Sequence, residues 1–574
     1  MCGIAGLIGT ADHARVEAMI AALAHRGPDG IRVEDVGDAT LAHARLSIID
    51  LEHGWQPLHA AGSTVVGNGE IYNYLELIEE FGLKDKLATG SDFEPLLHLY
   101  AMEGERAFDR LRGMYAFCLV GHDGRTWLVR DPFGIKPLYM QSMVHGLAFA
   151  SEPRSFTVGR QREVTPAAAK DLLALGYVTL PDFDAPLEEM RIMPGMVVEA
   201  FRNGGAGGLS RPPIHFPPAK TEGTEEQLLA DLDAVLEDSV RVHQRSDVPY
   251  GLFLSGGIDS AAIATLMSRL NERPVTAFTC GFDAPGASDE RAAAEKVARA
   301  LDLDWREISF GEEDFWRIAP QVAWALDDPT TDYATLPTYK LAEAAKGTLT
   351  VVLTGEGGDE LFAGYGRYRR ALRPALLGGR PAEPQIDAPF LKDGGAGALE
   401  RWRTMAKAPE GLTLLQQAQW ADIVTWLPND LLLKLDRCLM AHGLEGRTPF
   451  LDREVAAFAF GLPDRMKIRG RYGKWILRKW LERHCPAAEP WAKKRGFTVP
   501  VADWIGPRAA DLAPRIAAVQ GIAEVCDTDA VRAVFERPGQ EHNRWPLMFY
   551  ALWWTIHVGG ASPAEAMEAV AGRV

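Results

Sequence analysis

Residues 250–260 constrain this chain more than any other stretch. Tyr250-Gly251-Leu252-Phe253-Leu254 is a short apolar run that reads as a strand. It passes into Ser255-Gly256-Gly257-Ile258-Asp259-Ser260, and a helix is predicted over residues 261–270. A strand, a small-residue turn and a helix gather several backbone N–H groups at a helix N-terminus, which suits an anion. An amphipathic helix is predicted before this unit, over 225–242, and further strands over 275–278 and 350–353, with helical stretches between them. Alternating strand and helix implies a parallel sheet covered on both faces. After residue 410 the pattern is mainly helical.

The loop lacks the Gly-Lys-Ser/Thr ending of a Walker-type phosphate loop, so transfer of a terminal phosphoryl group is not expected. Asp259 is of the right type to hold Mg²⁺, with Ser255 and Ser260 donating to phosphate oxygens. A second loop, Thr354-Gly355-Glu356-Gly357-Gly358-Asp359-Glu360, also follows an apolar strand. In a parallel sheet both strand ends open on one edge, where ligands bind. Asp259 and Asp359 would then share one or two Mg²⁺ ions on a pyrophosphate group. A glycine turn without phosphate, and a surface acidic turn, are the plain alternatives for the two loops.

Before residue 200 the pattern differs. Short strands are predicted over 41–51, 64–66, 114–120, 127–130 and 147–150, with helices over 15–24 and 94–103, so a sandwich of sheets flanked by helices is expected. The run Asn203-Gly204-Gly205-Ala206-Gly207-Gly208, followed by Arg211-Pro212-Pro213 and Pro217-Pro218, reads as a turn or linker and places the change of architecture near residue 215. With 574 residues the chain is too long for one ordinary core, and two large units are expected.

The net charge of −17 argues against a general nucleic-acid or anionic-membrane binder. Six scattered cysteines without CxxC spacing fit a reducing compartment and argue against zinc. The first residues lack a basic stretch followed by an apolar one, so a secretory leader is not expected. The apolar segment 546–558 is too short to span a bilayer, and a cytoplasmic location follows.

The chain opens Met1-Cys2-Gly3-Ile4. Removal of Met1 would leave Cys2 with a nucleophilic thiol and a free α-amine of pKa about 8, able to act as its base. Position alone leaves this open: a small residue after the initiator is equally compatible.

Motifs in order along both halves carry a family likeness. They are Cys2-Gly3-Ile4, His25-Arg26-Gly27-Pro28-Asp29-Gly30, Arg45-Leu46-Ser47-Ile48-Ile49-Asp50, Asn68-Gly69-Glu70-Ile71-Tyr72-Asn73, Gly90-Ser91-Asp92 and Arg130-Asp131-Pro132-Phe133-Gly134. The two loops follow, then Leu444-Glu445-Gly446-Arg447-Thr448-Pro449-Phe450-Leu451-Asp452 and Lys493-Lys494-Arg495-Gly496-Phe497. In these the chain resembles the bacterial glutamine-dependent asparagine synthetases, and its second half resembles the pyrophosphatase-type (PP-loop) ATP-binding ligases that adenylate a carboxylate.

The resemblance implies a two-domain α/β architecture. Residues 2–210 would be a class II glutamine amidotransferase domain with an αββα N-terminal-nucleophile sandwich. Residues 211–574 would be a synthetase domain on a doubly wound parallel sheet with a mainly helical C-terminal part. It assigns Cys2 as nucleophile and Asn68 with the Gly69 N–H as oxyanion hole. Arg45 would clamp the glutamine α-carboxylate along the Leu46-Ser47-Ile48-Ile49 segment, and Asp92 would take the α-ammonium with Glu70 nearby. For ATP it implies Leu254 and Cys280 against adenine and ribose, the Ser255, Gly256, Gly257, Asp259 and Ser260 loop on phosphate, and Thr354-Gly355 on the nucleotide. Glu356 would support the acyl-adenylate and its amidation, and Lys474 would reach the α-phosphate. Lys434, Asp436 and Arg437 would bear on the acceptor.

The implied activity is ATP-dependent formation of asparagine from L-aspartate, with ammonia from L-glutamine crossing an apolar interior passage. ATP and Mg²⁺ are the implied cofactors, no nucleic acid or membrane is involved, and a homodimer is left open. The same mechanism on another carboxylate, an intramolecular amide-forming ligase and a non-catalytic scaffold are the rival expectations.

Overall fold

The structure is a computed structural model. It describes residues 2–160, 162–179, 190–201, 206–210, 223–283, 290–373, 376, 378–381, 383–493 and 499–572. Most of the predicted linker and most of the Lys493-Lys494-Arg495-Gly496-Phe497 motif lie outside these residues.

Among the described residues twelve strands precede residue 211: β1 (Gly3–Ile8), β2 (Gly30–Val36), β3 (Ala39–Arg45), β4 (Leu58–Ala60), β5 (Ser63–Ile71), β6 (Gly113–Val120), β7 (Thr126–Arg130), β8 (Tyr139–Ser142), β9 (Leu147–Ala150), β10 (Met190–Arg191), β11 (Met196–Ala200) and β12 (Ala206–Ser210). They form two six-stranded sheets, ordered β10-β8-β9-β1-β3-β2 and β12-β11-β7-β6-β5-β4. The paired strands run antiparallel. Part of the glycine run is therefore an edge strand and not a linker, since Gly207 pairs with Glu199 and Gly208 with Val198.

Side chains alternate across a strand, and that period builds four layers here. Ile4, Ile8 and Leu41 meet Val66, Ala116 and Cys118 between the sheets. The opposite parity of the first sheet, Ala5, Leu7, Ala42 and Ala44, packs on Val16, Met19 and Ile20 of helix His13–Ala21. That of the second sheet, Val65, Phe117 and Leu119, packs on Leu96, Leu97 and Tyr100 of helix Glu94–Glu103. The same alternation turns Cys2, Arg45, Asn68 and Glu70 to the inner faces.

The second half is built on β13 (Tyr250–Phe253), β14 (Thr276–Phe282), β15 (Asp304–Phe310), β16 (Val351–Leu353) and β17 (Glu445–Arg447), ordered β15-β14-β13-β16-β17. All its pairings are parallel. Leu252, Ala277, Val351 and Leu353 face helices Glu225–His243 and Ile258–Leu270. Phe278, Phe282 and Val352 face helices Glu312–Ala325, Thr335–Ala345 and Arg544–His557. The last of these contains residues 546–557 of the aromatic segment, whose Leu547, Phe549, Tyr550, Leu552 and Trp553 are core. Among the described residues no helix is long and apolar enough to cross a membrane.

The halves share a core. Leu46, Ile48, Tyr72, Met114, Phe133 and Ile135 are buried in one cluster with Leu252, Val351, Phe450 and Leu451. The Arg130-Asp131 turn aims two of them: Asp131 accepts the N–H groups of Phe133 and Ile135, both at 3.0 Å, and that of Lys136 at 2.9 Å.

Candidate active site

Cys2 extends β1, one residue ahead of the strand. Its nitrogen donates to Asn68 Oδ1 at 3.1 Å, and its Sγ lies 3.8 Å from the Leu46 carbonyl. Burial pushes the Cys2 thiol up from its ordinary pKa. With Oδ1 of Asn68 engaged, its buried Nδ2 has no hydrogen-bond partner. A buried amide N–H without an acceptor is costly, and here it belongs to the residue that holds the Cys2 nitrogen. Gly69, next along β5, has φ 135, and a Cβ there would lie 2.0 Å from the Met114 carbonyl oxygen. Only glycine fits a main chain held so close to its neighbour.

Arg45 ends β3 on the same inner face. One end donates from Nη2 to the Asp50 carbonyl at 2.6 Å, and the guanidinium lies 4.7 Å from the Trp55 ring centroid. Its buried Nη1 has no partner. The 46–49 segment is fixed by Asp29 accepting Ser47 N–H at 2.7 Å and by Ile48 O accepting Asp247 N–H at 2.9 Å; Ile49 is half-buried. Asp92 is buried and accepts Ile71 N–H at 2.7 Å. Burial, with the neighbouring Glu445, pushes its carboxyl up to about 7. Burial, then Asp92 and Glu445, hold Glu70 well above the usual carboxylate range. The pocket thus presents one unfilled cationic donor and two carboxyls short of positive charge. A zwitterionic amino acid supplies both.

At the sheet edge of the second half, β13 leads into the Ser255–Ser260 loop. Ser255 N–H donates to Ser260 Oγ at 3.1 Å, and Gly257 N–H to Ser255 Oγ at 3.1 Å. The Gly256 N–H donates to a carboxylate, Glu290 Oε2, at 3.3 Å. The helix starts at Ile258, three residues ahead of its predicted start, so Asp259 and Ser260 lie in its first turn. Leu254 is buried, its N–H donating to Phe278 O at 2.9 Å. Cys280 lies inside β14, buried among Phe278 and Phe282, with its Sγ 3.9 Å from the Gly281 carbonyl.

The second loop leans on the first. Thr354 N–H donates to Arg447 O at 2.9 Å. A Cβ on Gly355 would lie 2.9 Å from that of Asp259. Lys474 joins the loops: its Nζ lies 2.7 Å from Asp359 Oδ1 and donates to Asp259 Oδ2. It stands in the left-handed region, φ 53, at the N-cap of helix Trp475–His484. Burial opposes its charge, but Asp259 and Asp359 raise its pKa above the ordinary value. Among the described residues no group of three or more side chains of metal-ligating type comes together. Two carboxylates on one cation suit Mg²⁺ held jointly with substrate phosphates, as Mg²⁺ commonly is.

Glu356 Oε1 lies 3.7 Å from Lys434 Nζ, which is 2.9 Å from Asp332 Oδ2. Burial raises Glu356 above the usual carboxylate range, with Asp332, Asp359 and Asp259 adding to it and Lys434 opposing. Asp436 and Arg437 do not join Lys434 beside Glu356. Asp436 takes Arg26 bidentately, at 2.8 and 3.1 Å. Arg437 pairs with Asp327 at 3.2 Å and Glu152 at 3.4 Å. Arg26 also donates to Glu152 at 2.7 Å and to the Cys2 carbonyl at 3.2 Å. This buried network between the halves is absent from the sequence reading; its members stand up to 410 residues apart, and no spacing links them.

Comparison with known proteins agrees with this geometry. The family model for asparagine synthase matches residues 231–556, and that for a glutamine amidotransferase domain residues 1–207. "Asparagine synthetase [glutamine-hydrolyzing] 1" of Bacillus subtilis is 32% identical, the match covering 97% of each chain. "Asparagine synthetase B [glutamine-hydrolyzing]" of Escherichia coli is 29% identical over 90% of this chain and 83% of that one. "Asparagine synthetase [glutamine-hydrolyzing]" of Zea mays is 29% identical over 83% and 74%. An N-terminal cysteine pocket fit for a zwitterion, an anion loop on a parallel sheet and these matches along both halves lead to one conclusion: the chain belongs to the asparagine synthase family.

Proposed function

We propose that this protein is a glutamine-hydrolysing asparagine synthetase. ATP and L-aspartate give β-aspartyl-AMP and pyrophosphate, and ammonia from glutamine displaces AMP to give asparagine. The observation that carries the glutamine half is the Cys2–Asn68 bond, with Nδ2 of Asn68 and Nη1 of Arg45 left over in the same pocket.

Residues 2–210 perform the hydrolysis. Loss of Met1 converts the Cys2 nitrogen into an α-amine held at Asn68 Oδ1, where it takes the thiol proton. The thiolate attacks the glutamine amide carbon, and Asn68 Nδ2 and the Gly69 N–H receive the oxyanion. The tetrahedral adduct collapses to a thioester, ammonia leaves with the proton the amine returns, and water releases glutamate. Arg45 holds the α-carboxylate; Asp92 and Glu70 hold the α-ammonium.

Residues 211–574 perform the activation. The Ser255-Gly256-Gly257 turn, Asp259 and Ser260 receive the phosphates, Leu254 and Cys280 wall the adenosine, and Thr354-Gly355 close over it. Asp259 and Asp359 would hold Mg²⁺, which neutralises pyrophosphate charge when bound. Lys474 counters charge at the α-phosphate as the β-carboxylate of aspartate attacks, and Glu356 serves the adenylate and its amidation. The shared apolar core between the sites suits neutral ammonia, since protonated ammonia is no nucleophile.

Pyrophosphate release in the presence of ATP, glutamine and each of a panel of carboxylates tests this. Release that depends on aspartate is expected; none with aspartate, or release with another carboxylate alone, overturns it.

A further inference from the structure

Arg447 touches both sites at once. Its carbonyl, the last of β17, accepts the Thr354 N–H at 2.9 Å, and Thr354 Oγ1 lies 3.4 Å away. Its side chain runs the other way, into the first half. There Nη2 lies 3.5 Å from Oε1 of Glu70, a carboxylate of the glutamine pocket.

The rest of the side chain is pinned. Nε donates to Glu445 Oε1 at 2.6 Å, and Nη1 to the carbonyls of His243 at 2.8 Å and Arg245 at 2.7 Å. The guanidinium sits 5.6 Å from the Tyr72 ring centroid and is fully buried. Nη2, facing Glu70, is the nitrogen left without a hydrogen-bond partner. The Glu70 pair is therefore the one contact of Arg447 still open, at a distance beyond a charge-assisted hydrogen bond of about 2.7–2.9 Å.

The charge on Glu70 decides whether that contact closes. In the empty pocket burial disfavours a charge on Glu70, the negative charge of Asp92 and Glu445 adds to that, and Arg447 opposes it. An α-ammonium group arriving between Asp92 and Glu70 favours the ionised carboxylate. An ionised Glu70 draws the unpartnered Nη2 toward it; because Nε and Nη1 stay held by Glu445, His243 and Arg245, the pull passes to the main chain of Arg447, whose carbonyl holds Thr354. Gly355, the next residue, already packs on Asp259.

We propose that Arg447 is the positioning residue that couples the two sites: filling the glutamine pocket pulls its guanidinium onto Glu70, and its carbonyl sets the Thr354-Gly355 turn for nucleotide. This rests on the reading of Cys2 as the glutaminase nucleophile. Coupling between two binding events is reciprocal, so nucleotide must tighten glutamine by the same factor.

The test uses the full chain carrying Cys2→Ala, in which glutamine binds without turnover. The affinity of α,β-methylene-ATP is measured by calorimetry with and without saturating glutamine, and the converse titration is run. The expected result is a tightening of about fivefold or more in both directions, falling below about twofold in Arg447→Met and in Glu70→Gln. Arg447→Lys, which keeps a cation, should retain part of it. A residue of structural importance alone would change the separate affinities and leave their ratio intact. Absence of coupling in the parent protein, or full coupling in both variants, overturns the proposal. Should Arg447→Met lack a cooperative melting transition, the near-isosteric Glu70→Gln decides. Failure of glutamine to bind the Cys2→Ala protein at all overturns the glutaminase reading, and the coupling with it.

Discussion

The nitrogen of Cys2 donates to Asn68 Oδ1 at 3.1 Å, and this one contact orients the two groups proposed for glutamine hydrolysis. It holds the future α-amine beside the thiol and turns Asn68 Nδ2 toward the pocket. Asn68→Ala should lower glutaminase kcat by about 10²–10³, the usual cost of a lost oxyanion donor. Synthesis from added ammonia should persist, because the synthetase loops do not touch Asn68. Parallel assays with glutamine and with ammonium chloride check this; a change in glutaminase kcat under about threefold would remove Asn68 from the oxyanion hole.

The carboxyl of Asp92 gives the glutamine site a pH dependence. In the free protein burial and Glu445 push it up to about 7. Below that value it is protonated and cannot pair with an ammonium group. Binding of glutamine therefore strengthens as pH rises through about 7 and weakens by about tenfold for each unit below it. Isothermal titration of glutamine into the Cys2→Ala protein across pH 5.5–8.5 measures this. In Asp92→Asn affinity should be low throughout and the slope near pH 7 reduced, the raised carboxyl of Glu70 keeping its own share of the pH dependence; an unchanged slope would contradict the assignment.

Lys474 keeps two carboxylates together. Lys474→Met leaves Asp259 and Asp359 facing each other across a buried site, and aspartate-dependent pyrophosphate release should fall by about 10² or more. Lys474→Arg should fail too. A Cβ at Gly364 would lie 2.1 Å from Lys474 Cε, so the site has no room for a planar guanidinium. Glutamine hydrolysis without ATP should survive both changes. Release in Lys474→Arg near the parent rate would show that charge alone suffices.

The ion network between the halves predicts a stability effect. Asp436→Asn removes the bidentate partner of buried Arg26, and breaking a buried pair costs about 3–5 kcal/mol. Urea unfolding should shift accordingly and should do so equally in high salt, because buried pairs are little screened. A loss below about 1 kcal/mol would mean that Glu152 and the Cys2 carbonyl suffice to hold Arg26.

Much of this was legible in the sequence, and the failures have physical causes. Helix Glu94–Glu103 and strand β9 fall where their patterns place them, since both have clean ends and apolar interiors. The helix over 261–270 begins earlier because the phosphate loop is its own first turn. The strand predicted over 41–51 stops at Arg45, where the chain leaves the sheet to reach Asp50 in the left-handed region. β17 went unread because three residues carry no period, yet it places Arg447 between the sites. Cys2, Asn68 and Asp92 stand in motifs, and the structure brings Cys2 onto Asn68 and Asp92 beside Glu70. Arg26, Glu152 and Asp327 owe their role to partners far along the chain, which folding alone brings near.

Transfer of the glutamine amide nitrogen to aspartate is the central claim. The full chain, with Met1 removed, is supplied with ATP, Mg²⁺, L-aspartate and glutamine carrying ¹⁵N in its side-chain amide, and products are followed by NMR. The label should appear in the β-amide of asparagine, with AMP and pyrophosphate formed in equal amounts to it. Label confined to free ammonium without asparagine, or ADP and phosphate in place of AMP and pyrophosphate, would contradict the account.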